Sequence, residues 1–272
     1  MQKQKVALVL SGGGARGFAH IGAIEALQQS GFAISSVAGT SMGALVGGMY
    51  AMGEMETFKD WVISIRKWRL LQLVDFAYSR EGLFKGEKLF KLIRKVFPET
   101  NIENLTIPFC AIATELNSYS VHSFEEGDIY AAIRASMAIP TVFTPAQYGD
   151  HAYVDGGVLN NIPIQYVKRN DGDIVVAIDV NAYIPFDGNN IEGVNENRIP
   201  RKDFYSIINQ SVGLMIDRIA HQHLKEYPPD FLVKLSRESC GMFEFFRAKD
   251  QIEYGYRSSM AQLQPLKEKL AK

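Results

Sequence analysis

The chain has 272 residues, a formal net charge of −1, 47% hydrophobic and 22% charged residues, the balance of a soluble globular protein. That length lies slightly above the usual single-domain range, which α/β folds often fill as one unit, and the near-neutral charge carries no electrostatic footprint for nucleic acid. Two cysteines, Cys110 and Cys240, stand far apart in no metal or redox spacing, and no run approaches the about 18 apolar residues of a membrane span, so a cytoplasmic protein, soluble or peripheral to a membrane, is expected.

Lys3 and Lys5 precede Val6-Ala7-Leu8-Val9-Leu10, but this apolar run is too short for a signal peptide and ends in three glycines and an arginine. It reads as a strand buried on both faces. After the glycines, Ile21, Ala23, Ile24 and Leu27 recur at helical spacing, and Gly31 stands where a helix stops. Ile34 to Ala38 reads as the next strand and Ala44 to Met52 as a helix of small residues. Strand–helix–strand–helix is the grammar of a parallel sheet with helices on both faces.

Glu56 to Arg69, with Trp61 and Trp68, and Gly86 to Phe97 read as two amphipathic helices that form a cap or lid. Strands are expected at Ile107–Thr114 and Tyr119–Phe124, a short helix at Asp128–Ala135, and a clear late strand at Ile174–Val180. The polar stretch from Pro185 to Pro200 reads as a surface loop. Asp203 to Lys225 follows as a long helix, Phe231 to Leu235 as a strand, and a last helix starts at about Asp250. With no internal repeat and no linker, one domain over 1–272 is expected, its motif-bearing core at about 6–168 and the remainder, 169–272, completing the fold.

Three motifs carry chemistry. Gly39-Thr40-Ser41-Met42-Gly43 has the spacing of a nucleophile elbow, in which a serine is forced onto a tight strand-to-helix turn; the plainer account of Ser41 is a helix N-cap. Gly12-Gly13-Gly14-Ala15-Arg16-Gly17 offers peptide N–H groups that converge on negative charge at a helix N-terminus. It also satisfies a dinucleotide fingerprint, but the acidic residue that fingerprint needs roughly 20 positions on is missing from Ile34 to Ala38. Asp155-Gly156-Gly157 follows a short apolar run and reads either as an exposed carboxylate or as a plain β-turn. Among five histidines, a Ser…Asp…His order drawn through Ser41, Asp179 and His221 or His223 has no local motif behind it.

In chain order, Gly12–Gly17, Gly39–Gly43 and Asp155–Gly157, the three blocks resemble the signature blocks of the patatin-like phospholipases. Arg134-Ala135-Ser136-Met137-Ala138-Ile139-Pro140, with Pro145 following, resembles a fourth. The likeness spans about Val6 to Lys168 and is nearest to the short bacterial members. It implies a three-layer α/β/α fold with a mainly parallel central sheet, related to the cytosolic phospholipase A2 catalytic domain, and a Ser-Asp dyad without histidine. Ser41 is then the nucleophile and Asp155 its base. Gly12, Gly13, Gly14, Ala15, Arg16 and Met42 form the oxyanion hole, and Gly17, Gly39, Gly43, Gly156 and Gly157 are motif glycines.

The implied activity is hydrolysis of a lipid carboxylic ester, phospholipid or lysophospholipid, with no cofactor and no metal. Alternatives are a non-catalytic, regulatory relative and a nucleotide-binding protein using Gly12 to Gly17. Trp61, Trp68, Leu70, Leu71, Leu73 and the cluster Met242, Phe243, Phe245 and Phe246 are candidates for a groove wall or for core. Arg66, Lys67 and Arg69 beside Trp68 form either a peripheral membrane contact or a solvated helix face.

Overall fold

The computed structural model describes residues 3–65, 87–186 and 204–270. Trp68, Leu70, Leu71, Leu73, Arg66, Lys67, Arg69 and most of the Pro185–Pro200 stretch lie outside them. Five parallel strands form the body of an eight-stranded sheet: β1 (Lys5–Leu10), β2 (Ala33–Thr40), β3 (Phe109–Glu115), β7 (Ile174–Ala182) and β8 (Phe231–Ser236). Three antiparallel strands, β4 (Ser120–Phe124), β5 (Ala146–Tyr148) and β6 (His151–Asp155), extend it beyond β3. The strand order is β5-β6-β3-β2-β1-β7-β8, with β4 also on β3.

The period-two alternation of strand side chains divides the core. Val6, Leu8 and Leu10 of β1 and Val176, Ile178 and Val180 of β7 point into the larger cluster. That layer holds α1 (Ala19–Gln29), α2 (Met42–Ala51), α3 (Met55–Ser64), α4 (Glu87–Val96), α5 (Ile129–Ser136) and α7 (Ala248–Leu270). Ala7, Val9, Val175 and Ala177 point the other way, onto Ile162, Ile164 and α6 (Phe204–Glu226). Helices on both faces of a mostly parallel sheet make the expected three-layer α/β/α fold.

The cap expected of the helices after α2 is not what their described parts form. Phe58, Val62, Phe90, Ile93 and Phe97 are buried in the main core. Phe58, Trp61 and Phe97 meet with ring centroids 5.8–6.1 Å apart. The amphipathic pattern of these helices therefore faces the sheet layer. Phe245 likewise packs inward, edge-on to Phe18 at 6.2 Å. Among the described residues no helix is long and apolar enough to cross a membrane.

One detail of strand register positions the site. β2 pairs with β3 from Phe109 to Ile112, and β6 pairs with it from Ala113 to Glu115. β4 pairs with Ala111 to Glu115 and so overlaps both. Since each strand has two edges, β4 takes one, and β2 and β6 share the other end to end. β2 runs parallel to β3 and β6 antiparallel, so their C-terminal ends, Thr40 and Asp155, face each other across the gap between Ile112 and Ala113.

The last helix is fixed by a close crossing. A Cβ on Gly22 of α1 would lie 2.0 Å from the Ile252 carbonyl oxygen, and one on Gly255 of α7 would lie 2.0 Å from that of Ala19. The two backbones touch where neither residue has a side chain. Gly255→Ala is expected to destabilise the protein by about 1–3 kcal/mol, the range for overpacking, measured by urea unfolding. An unchanged midpoint would show that the helices can separate at no cost.

Candidate active site

The chain leaves β2 at Thr40 and enters α2 at Met42, so the whole reversal falls on Ser41, whose φ and ψ are 55° and −122°. A non-glycine residue in such a region costs of order 1–3 kcal/mol and persists only where its surroundings over-determine it. Ser136 supplies that constraint. The Ser41 N–H donates to Ser136 Oγ at 2.8 Å, and Ser136 Oγ donates to the Ile112 carbonyl at 2.6 Å. The first turn of α2 also sits against β1, where a Cβ on Gly43 would lie 2.4 Å from the Leu10 carbonyl oxygen. Ser41 occupies the N-cap position of α2, yet its hydroxyl makes no cap bond. The plain cap reading fails, and the hydroxyl is left to the cleft.

Asp155 closes β6 opposite this turn. Its N–H donates to the Ala138 carbonyl at 2.9 Å, and its Oδ1 accepts from the Gly157 N–H at 2.8 Å. The turn and carboxylate readings of Asp-Gly-Gly thus both apply: the side chain caps its own turn while facing Ser41. Asp155 is only 6% exposed. Loss of solvation pushes its pKa up to about 6, while hydrogen bonding from the Ser41 side chain and from Gly157 pulls the other way. Serine and carboxylate, 114 positions apart in the chain, are neighbours. The fourth block acquires a physical meaning here, since Ser136 and Ala138 hold the backbones of Ser41 and Asp155.

The glycine loop narrows the expected set of donors. The Gly12 N–H is spent on the Asn161 carbonyl at 3.0 Å and the Ala15 N–H on the Met242 carbonyl at 2.8 Å, so neither serves an incoming oxyanion. Among the described residues nothing accepts from the N–H groups of Gly13, Gly14 and Met42. The Gly12 carbonyl accepts from Asn181 Nδ2 at 2.6 Å and more loosely from Asn161 Nδ2 at 3.5 Å. In a trans peptide the N–H points opposite the carbonyl, so this anchor turns the Gly13 N–H away from the asparagines.

Arg16 does the same for the next peptide through Nε, 3.4 Å from the Gly13 carbonyl, and its Nη1 reaches the Arg237 carbonyl at 3.4 Å. It holds the loop through carbonyls rather than by pairing with a carboxylate. Burial, and then the charge of Arg237, depress its pKa. Gly17 packs flat on Met42, where a Cβ would lie 2.3 Å from Met42 Cγ. His20 supports the loop from behind, with Nε2 2.8 Å from the Ser11 carbonyl and a pKa lowered to about 4 by burial, so it is a neutral structural donor at pH 7.

Ser41, Asp155, Gly12, Gly13, Gly14 and Arg16 line one cleft of about 130 Å³. Met242 and Phe243 form part of its wall and are exposed as well. No histidine lines it. His223 contacts Asn160, His151 pairs with Glu115, His122 packs on Tyr153, and His221 lies with Asp179 in a neighbouring groove. The histidine triad is therefore not assembled. Among the described residues no group of three or more His, Cys, Asp or Glu is placed to hold a metal, and both cysteines are free and buried.

Sequence reasoning missed Asn161, Asn181 and Arg237. Asn181 stands at the C-terminal end of a parallel strand, where sites of open α/β sheets gather; that signal was there to use. Asn161 and Arg237 carry none.

A family model for patatin-like phospholipase matches residues 8–168. An uncharacterized NTE family protein of Mycobacterium tuberculosis (strain H37Rv) is 28% identical, over 92% of this chain and 89% of its own length. The protein named Lysophospholipase NTE1 of Meyerozyma guilliermondii is 33% identical over 66% of this chain, which spans only 13% of that much longer relative. Neuropathy target esterase sws of Drosophila melanogaster is 32% identical over 64% of this chain and is likewise covered to 13%. The crystal structure of VipD from Legionella pneumophila aligns with a TM-score of 0.49 at 14% identity, over 97% of this chain and 67% of that one. The family match takes in more than half of the sequence, including the serine turn, the glycine loop and the Asp-Gly-Gly turn, and the chain belongs to the patatin-like phospholipase family.

Proposed function

We propose that the protein is a serine acyl hydrolase that cleaves the carboxylic ester of a lipid, with Ser41 as nucleophile and Asp155 as base. One observation carries this reading: a serine hydroxyl unused by its own helix faces a buried carboxyl whose pKa lies at about 6. Such a carboxylate is a stronger base than one in water, yet it is still ionised at pH 7. The name of one relative, Lysophospholipase NTE1, favours a lysophospholipid as substrate.

Asp155 takes the Ser41 proton as Oγ attacks the ester carbonyl. The tetrahedral oxygen then accepts hydrogen bonds from the Gly13, Gly14 and Met42 N–H groups. Loss of one such donor costs roughly 3 kcal/mol in related chemistry. Collapse breaks the bond to the alcohol, which leaves with the proton from Asp155. The acyl group remains on Ser41. Water, deprotonated by the same carboxylate, attacks the acyl-enzyme, and the fatty acid leaves as Ser41 regains its proton.

A peripheral membrane contact belongs to the same reading. Phe243 is 54% exposed while lining the cleft, and Phe246, Leu214 and Met215 add exposed apolar surface. Phe243→Ser is expected to weaken co-sedimentation with phosphatidylcholine vesicles several-fold; unchanged binding would remove Phe243 from the contact.

Ser41→Ala and Asp155→Ala are each expected to reduce hydrolysis of a p-nitrophenyl acyl ester to background with the circular dichroism unchanged. Turnover retained by either variant would refute the dyad. Labelling of Ser41 by a fluorophosphonate separates this reading from a non-catalytic relative, in which the serine stays unreacted.

Because the base must be ionised, kcat/KM is expected to rise with pH through about 6 and then level off. The effect on stability has the opposite sign. Between the ordinary carboxyl value of 3.8 and about 6, the folded protein keeps a proton that the unfolded chain has lost. Stability from this group therefore falls as pH rises across that window and stays lower above it. Asp155→Asn is expected to abolish activity yet raise unfolding stability at pH 7 by about 2–3 kcal/mol, measured by urea titration. A destabilised Asn variant would mean that the charged carboxylate is favoured in place.

A further inference from the structure

A groove of about 590 Å³ lies beside the Ser41 cleft and shares Asn161, Asn181 and Asp217 with it. Its size falls in the range of ligand sites, roughly 300–1,000 Å³, whereas the Ser41 cleft falls below that range. Every residue of its wall except Asn161 lies beyond residue 168, where the family match ends. The groove is therefore a feature of this chain's C-terminal part.

Its chemistry is two-sided. Ile184, Leu214, Leu224 and Leu232 give it an apolar wall, and Arg218, Lys225 and Lys234 stand around it. None of these three cations is within ion-pair distance of a carboxylate among the described residues. The two acids of the groove offset them only in part. Asp217 is already held by Arg237 Nη1 at 2.5 Å and by the Tyr183 hydroxyl at 2.7 Å. Asp179 stands opposite Lys234 in the β7–β8 pairing and feels its charge, although burial pushes the carboxyl's pKa up. The balance is an apolar trough edged by three cations against two acids, one of which is already held by Arg237.

We propose that this groove binds an anionic single-chain amphiphile, its acyl chain along Ile184, Leu214, Leu224 and Leu232 and its carboxylate or phosphate head on Arg218, Lys225 and Lys234. The site is distinct from the ester-binding cleft but not isolated from it. Asn161 and Asn181, which form the shared wall, are the residues that hold the Gly12 carbonyl, so the ligand sits against the support of the glycine loop.

The test is calorimetric titration of the Ser41→Ala protein, below micellar concentrations, with oleate, 1-oleoyl lysophosphatidate and the neutral monoolein. The anionic probes are expected to bind at one site. The combined Arg218→Gln, Lys225→Gln and Lys234→Gln variant should weaken them about tenfold, the sum expected for three exposed charge contacts, and should leave monoolein unchanged. Ala220→Trp, which fills the groove without altering charge, should weaken all three probes. Tighter binding of oleate identifies a fatty-acid head, and tighter binding of lysophosphatidate a phosphate head. Monoolein binding as tightly as oleate, or full affinity in the triple variant or in Ala220→Trp, would overturn the proposal, as would failure of both anionic probes to bind. All these readings are of binding, so they stand or fall separately from ester hydrolysis.

Discussion

The site depends on a shared strand edge. β2 and β6 occupy the same side of β3 from opposite directions, and neither can extend past the other. The Ile112 carbonyl sits at the junction, where one ladder ends and the next begins. A buried carbonyl without a partner is costly, and Ser136 satisfies it while accepting from the Ser41 N–H. A single side chain thus repairs the break in the sheet and fixes the strained turn that the break makes room for. Glycine at position 156 lets the opposing turn close to the same degree, since a Cβ there would lie 2.2 Å from the Ile112 oxygen.

That arrangement brings a carboxyl into a nearly dry space, and the proposed chemistry follows from the cost. In water a carboxylate is too weak a base to deprotonate serine to any useful extent. Buried at the end of β6, it is less stable as an anion and gains proton affinity. The protein retains it because the remaining interactions around Asp155 are neutral hydrogen bonds from Gly157 and Ser41 and not ion pairs. An arginine bonded to Asp155 would stabilise the fold and depress the basicity. Arg16, the buried cation of the loop, is instead occupied with carbonyls.

The C-terminal part of the chain is woven into this core. β7 lies between β1 and the edge strand β8, and its last residues provide Asn181 for the glycine loop. Met242 clamps Ala15 through its carbonyl, and α6 roofs both the cleft and the groove. The residues that bear the family motifs and the residues that shape the space around them therefore come from different halves of the sequence. Divergence in the second half can alter what binds while the first half keeps its geometry.

Much of the frame was legible in the sequence because its signals are local. A five-residue apolar run, helical spacing ending at a glycine, and glycines flanking a serine each act within a few residues, and β1, α1, β2 and the turn at Ser41 formed where those signals stood. The order of the motif blocks also marked Ser41 and Asp155 as a pair. The availability of N–H groups was not legible, because Gly12 and Ala15 lose theirs to carbonyls at positions 161 and 242. The inward packing of α3 and α4 was equally hidden, since an amphipathic helix has the same pattern whether its apolar face covers a core or a cleft. Sequence determined the local geometry of each turn; the tertiary structure alone decided which turns meet and which donors remain, because those outcomes rest on contacts between residues more than a hundred positions apart.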